Sequence, residues 1–260
     1  MSDTVANVEA SAPLNQWERV ADIFIAPSKT FNDILRSSNW WLPWLLGVLV
    51  TLGFGLAIQQ KVGWDKTYGN ILLQGSQAEQ DRVSQLPPDQ QVRQKAIGAA
   101  FVKYIFWVTP VLGLLFAAIA AGVWLATLNF GLGGHAKFGQ LFAVWMYGTL
   151  PFVIQGTLGI ITLFVGLDPD SFNLKNPVGT NIGYYLPLDW PKWLLAFGTA
   201  IDVLTIWVLI LLTIGCATVA RMKRSTAAVA VWGWWILITL VKVVAAAIFS
   251  SGWSRSRAEA

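Results

Sequence analysis

Five stretches of the chain are almost continuously apolar: residues 41–60, 104–128, 138–166, 193–219 and 226–249. A helix rising about 1.5 Å per residue needs about 20 apolar residues to cross a hydrocarbon core of roughly 30 Å. Each stretch meets that length. A strand of a membrane barrel would be about 10 residues long and strictly alternating. These runs are longer and show no period of two, so they predict helices. A soluble core would have to hide five long runs almost free of charge, which argues against it.

Polar residues collect between the runs. In residues 15–37, Trp17, Val20, Ile23 and Phe24 share one helical face, and Glu18, Arg19 and Asp22 lie elsewhere. Pro27 breaks that helix, and Ser28 is a candidate N-cap for a short second helix with Phe31, Ile34 and Leu35 on its apolar face. Two such helices either lie in the membrane interface or dock on the protein's own spans, and the pattern leaves both open. Residues 61–103 read as a solvated cap, with a helix starting near Pro87-Pro88-Asp89 and feeding the second span. Residues 167–191 read as a turn-rich loop. Its Asp168-Pro169-Asp170 start does not continue as a calcium loop. Phe172 or Leu174 stands where the sixth-position Gly is required, and no Glu closes the loop.

Pro110 and Pro151 fall inside spans and predict kinks. Gly47, Gly53, Gly55, Gly122, Gly156 and Gly159 suit close helix approach. The first 40 residues carry no signal-peptide pattern. The expected organisation is a disordered tail over 1–14, amphipathic helices over 15–37, a membrane domain over 38–253 and a tail over 254–260. The fold class is an all-α integral membrane protein with five transmembrane helices and an N-terminal interfacial amphipathic segment.

Composition agrees. Charged residues make up 12 % of the 260, about half the share in soluble domains. One Cys and one His exclude a disulfide framework and a histidine-rich metal site. Trp40, Trp41, Trp44, Trp190, Trp193 and Trp253 flank the runs as an interfacial aromatic belt would. With the N-terminus inside, 7 basic residues fall on cytoplasmic segments and 10 outside. The dense Arg221–Arg224 cluster in the shortest loop favours N-inside, C-outside. The net charge of +4 suits anionic headgroups, and no basic stripe fits nucleic acid.

Two charges alone fall within the runs, Asp202 and Lys242. Both stand 20 residues from Met222, in the turn between the last two runs. In an antiparallel hairpin they share one depth, about 30 Å from the turn, so an intramembrane ion pair is geometrically natural. Thr205, Leu209, Thr213 and Cys216 lie on or near the Asp202 face, and Trp235 and Thr239 on the Lys242 face. Three readings stay open: a pair that locks the hairpin, a proton or ion path, or Lys242 snorkelling to the surface. No phosphate-loop, zinc-protease or Cys-x-x-Cys pattern occurs. Gly131-Leu132-Gly133-Gly134-His135 reads as a turn and Cys216 as a small apolar residue. No catalytic, cofactor-binding or metal-binding residue is assigned.

The segment Trp17-Glu18-Arg19-Val20 through Pro27, Thr30 and Phe31, followed by Trp40-Trp41-Leu42-Pro43, resembles the opening of bacterial Yip-domain proteins. Gly133, Gly134, Phe138, Tyr147 and Pro151 are similar to the family's middle. So are Asn176, Pro177 and Asn181, and Asp202, Trp207 and Gly215 resemble its penultimate span. The likeness runs from about residue 15 to 250. It implies five spans, a cytoplasmic N-terminus and a bacterial inner membrane. Eukaryotic relatives act in vesicle trafficking with small GTPases. Their D-L-Y-G-P type motif is missing here, so GTPase binding is not carried over. The expected function is non-enzymatic: scaffolding membrane-protein partners or further copies of the chain, or organising the bilayer. The alternative is a small channel or transporter built on a polar seam around Asp202 and Lys242. An intramembrane enzyme lacks a nucleophile–base pair, since His135 sits by a loop with no second partner.

Overall fold

In the computed structural model the described residues are 12–258, except 76 and 188. Most of the expected tail over 1–14 lies outside them. The chain divides into two compact units, each built from separated segments. Unit 1 combines Met1–Val48, Pro110–Val153 and Thr205–Ile236, and unit 2 combines Leu49–Thr109, Ile154–Leu204 and Leu237–Ala260. Among the described residues the elements are helical, with one isolated antiparallel bridge between Asn181 and Asp202.

Helix α1 spans Gln16–Ile25 and α2 spans Pro27–Ile34. A capping box starts α1: Asn15 Oδ1 accepts from the Glu18 backbone N–H at 2.9 Å, and a Glu18 carboxylate oxygen accepts from the Asn15 N–H at 2.7 Å. Pro27 takes the first position of α2, where its missing N–H costs nothing. The N-cap is therefore Ala26, two residues before the expected Ser28. The face of α1 also differs from the sequence pattern. Arg19, Asp22 and Ile23 are buried, and Trp17 stands 64 % exposed. Partners on α2 neutralise the polar residues and let them turn inward.

The α1–α2 hairpin packs on α7, Phe138–Gly148. Ile23, Phe31 and Ile34 join Leu141, Val144, Tyr147, Leu211 and Cys216 in the core of unit 1. Two glycines allow α7 and α10, Val203–Val219, to close together. A Cβ at Gly148 would stand 2.5 Å from a Leu212 methyl, and one at Gly215 would stand 2.6 Å from a Val144 methyl. In unit 2, Phe54, Ala57, Ile58, Trp64, Leu163 and Phe172 form a second core, with Phe106 and Trp107 against it. A Cβ at Gly55 would stand 2.8 Å from both of those rings.

Four helical stretches are long and apolar enough to cross a membrane: Trp41–Lys61, Pro88–Gly131, Phe138–Val165 and Arg224–Ile248. The first is α3. The second joins α6, Pro88–Leu125, to a π-helical turn at Ala126–Gly131. Helix α6 starts at the expected proline pair and continues through Pro110, whose carbonyl accepts from Trp44 Nε1 at 3.1 Å. The third holds α7 and α8, Pro151–Val165, because Pro151 opens a new helix after a short turn at 149–150. The fourth belongs to α11, Arg224–Ala258, which continues into the expected tail.

The predicted run over 193–219 is not one helix. It divides into α9, Lys192–Ala200, and α10, with the break at Ile201 and Asp202. The polar cap over 61–103 holds α4, Trp64–Leu73, and α5, Gln77–Ser84, before α6 begins.

Candidate functional site

Two constellations hold most of the polar side chains that are buried among the described residues, including all of the buried charges. The first is the α1–α2 hairpin of unit 1. Arg19 is 2 % exposed, and Asp33 is buried beside it. Arg19 Nε and Nη2 both reach Asp33 Oδ2 at 2.7 Å. Its Nη1 donates to the carbonyls of Ser37 at 2.9 Å and Asn39 at 3.4 Å. The guanidinium thus ties α1 to α2 and to the segment that enters α3. Its rigid fork suits this arrangement, whereas a Lys ammonium lacks the planar geometry.

Neighbouring contacts complete the knot. Thr30 Oγ1 donates to the Arg19 carbonyl at 3.0 Å, and Tyr147 Oη donates to Gln16 Oε1 at 2.7 Å. At the rim Lys29 Nζ lies 2.8 Å from Asp22 Oδ2, and this hydrogen bond holds the Lys29 ammonium above its usual pKa. Of the positions that carried the family resemblance, Arg19, Thr30, Phe31 and Tyr147 meet here. Pro27 makes the corner, Pro43 is buried early in α3, and Trp17 faces outward. Gly133 adopts φ 70°, and Gly134 packs where a Cβ would meet Met222 and Ala220.

The second constellation surrounds the break between α9 and α10 in unit 2. An extended piece of the preceding loop lies against it. Val203 N–H donates to the Thr180 carbonyl at 3.1 Å, and Ile182 N–H donates to the Ile201 carbonyl at 3.4 Å. These bonds satisfy backbone groups that the broken helix leaves open. Asp202 is 3 % exposed and directly precedes the first residue of α10, where a carboxylate complements the helix's positive end. Thr180 Oγ1 donates to Asp202 Oδ2 at 2.5 Å, and Gln155 Nε2 donates to Thr180 Oγ1 at 3.4 Å. Asn176 and Asn181 pair through both amides, at 2.6 and 3.2 Å.

Lys242 stands exposed on α11. The described ion pairs join Arg19 to Asp33, Lys29 to Asp22 and Lys66 to Asp170, and do not include it. Equal depth in a hairpin fixes height but not azimuth, and the Asp202 carboxylate is turned toward Thr180.

The partners of these charges were not marked by sequence. Asp33 looked like an ordinary polar position of a short helix, and Thr180 and Gln155 lie 22 and 47 residues before Asp202. The available signal was an apolar run containing a carboxylate, preceded by a loop that holds Asn173, Asn176, Thr180 and Asn181.

Comparison with known proteins agrees with the resemblance. No curated protein and no solved structure matches the chain. The model of one family, the Yip1 domain, matches residues 21–246. That match takes in most of the hairpin and the helix break, and reaches beyond Lys242. It also agrees with four helices fit to cross a bilayer, and the chain therefore belongs to the Yip1 domain family.

Proposed function

We propose that this protein is a non-enzymatic, five-crossing membrane scaffold whose N-terminal hairpin presents a fixed contact surface to partners or to further copies of the chain. The observation that carries the reading is the Arg19–Asp33 knot. It holds the α1–α2 hairpin against α7 while Trp17 and Ile25 point outward, at 64 % and 80 % exposure. Preorganised surfaces with exposed aromatic side chains suit partner binding.

Five crossings are supported by hydrogen bonds within each unit. His135 N–H donates to the Ala220 carbonyl at 3.1 Å, so the turns at 132–137 and 220–223 share one end of unit 1. Asn70 Nδ2 donates to the carbonyls of Pro169 and Phe172 at 2.9 and 3.0 Å, which joins α4 to the loop at 167–191. Helices α7–α8 then cross one way and α9–α10 return. The Arg221–Arg224 cluster favours a cytoplasmic N-terminus and an external C-terminus. The family resemblance suggests a bacterial inner membrane.

The test is photo-crosslinking from position 17 or 25 in native membranes, paired with ion flux in proteoliposomes. Discrete adducts that disappear in Arg19→Met, with no flux above protein-free liposomes, are expected. Flux that depends on Asp202, without adducts, would instead favour the second reading, a channel or transporter. The helix break at Asp202 speaks for that reading, because discontinuous spans with a buried carboxylate are a common way to build ion sites.

A further inference from the structure

We propose that the end of unit 1 formed by the turns at 220–223 and 132–137 and by α2 holds the phosphate headgroups of anionic phospholipid, with Arg221, Lys223 and Lys137 as its cations. Backbone strain marks the turn at 220–223. Helix α10 ends with Met222 N–H donating to the Ala217 carbonyl at 3.0 Å and Arg221 N–H donating to the Thr218 carbonyl at 3.3 Å. These two bonds define a Schellman ending, in which the residue at position 221 must be left-handed and is usually Gly. Arg221 occupies it at φ 55°, and it is the non-glycine residue with positive φ among the described residues. A Cβ in this conformation is sterically costly, and such outliers collect where the side chain has a task.

The surroundings specify that task. Arg221, Lys223 and Lys137 are exposed. Arg224 Nη2 donates to Ser28 Oγ at 3.0 Å and joins the turn to α2. The hydrogen bond from His135 to Ala220 brings the 132–137 turn, and with it Lys137, to the same place. Nearby acids offer these cations little competition. Asp33 is held by buried Arg19, Asp22 by Lys29, and Glu18 is committed to the capping box. Phe130 and Leu132 stand exposed at the flank of the 132–137 turn. Lys137 and Arg224 stand at the starts of helices long and apolar enough to cross a bilayer, Phe130 and Leu132 at the end of another, and Arg221 and Lys223 in the turn that enters α11, so the layer they meet is the headgroup layer. This favours a lipid phosphate over an acidic protein segment.

The experiment is native mass spectrometry of the full chain from mixed phosphatidylcholine and phosphatidylglycerol micelles, read alongside thermal unfolding. Each basic side chain near an anionic surface contributes about fivefold. Wild type should therefore retain phosphatidylglycerol preferentially, and Arg221→Gly and Lys223→Gln should each reduce that preference about fivefold. Arg221→Lys should keep it. Arg221→Gly should also raise the unfolding midpoint, a split between stability and lipid retention that a purely structural residue would not produce. The proposal is overturned if the Arg221→Gly/Lys223→Gln double variant keeps the wild-type preference, or if Lys175→Gln in unit 2 lowers it as far. It is also overturned if a polyglutamate peptide displaces phosphatidylglycerol at equal concentration, which would make an acidic protein the occupant.

Discussion

Replacing Arg19 by Met should unfasten the N-terminal hairpin. The substitution preserves much of the side-chain length but removes four donor contacts, two to Asp33 Oδ2 and one each to the carbonyls of Ser37 and Asn39. Asp33 is 6 % exposed, so its carboxylate would be left in a poorly solvated place without a counter-charge. Breaking one side of a buried pair typically costs about 3–5 kcal/mol, mostly for the stranded charge. At about 2–4 °C per kcal/mol for a chain of this size, the unfolding midpoint in detergent should fall by about 10 °C. Limited proteolysis should then cut within 15–40 before the rest of the chain. Arg19→Lys should lie between wild type and Arg19→Met, because it keeps charge but loses the fork. The Arg19→Met/Asp33→Leu pair should recover most of the loss, since no charge remains to be stranded. An Arg19→Met protein that unfolds within about 0.5 kcal/mol of wild type would refute the reasoning, because Asp33 would then have water or another partner.

Three further perturbations test separate parts of the account. Gly215→Ala should cost about 1–3 kcal/mol by overpacking against Val144 and Phe31, whereas Gly122→Ala, with nothing within 4 Å of its Cβ, should be neutral or stabilising in the same thermal assay. Thr180→Val should destabilise by about 1.5–3 kcal/mol, because it removes a donor from the buried Asp202 carboxylate, and chemical denaturation would measure it. Arg221→Gly should gain about 1 kcal/mol by relieving the left-handed conformation, read as a higher denaturation midpoint.

The helices were legible where one periodicity governed a long segment. The runs that became α3, the later part of α6 and α11 needed only length and apolarity, and Pro27 and Pro88 marked real helix starts. The misreadings share a cause, which is that tertiary partners override local pattern. Hydropathy runs unbroken through 193–219, yet the chain breaks at Asp202 because Thr180 and Ile182 supply hydrogen bonds from a distant loop. Arg19 looks like an outward charge until Asp33, 14 residues away on another helix, makes burial affordable. Matched depth in the hairpin says nothing of the Thr180 hydroxyl that donates to Asp202, because no spacing rule singles it out.

The central claim is a chain that crosses the bilayer five times with its basic turns on one side. Single-cysteine labelling in a Cys216→Ser background, with a membrane-impermeant reagent on sealed vesicles of known orientation, tests it most directly. Lys137→Cys and Lys223→Cys should react from one side, and Lys66→Cys and Lys175→Cys from the other. If Lys175→Cys and Lys223→Cys react from the same side, α9–α10 does not cross and the account fails.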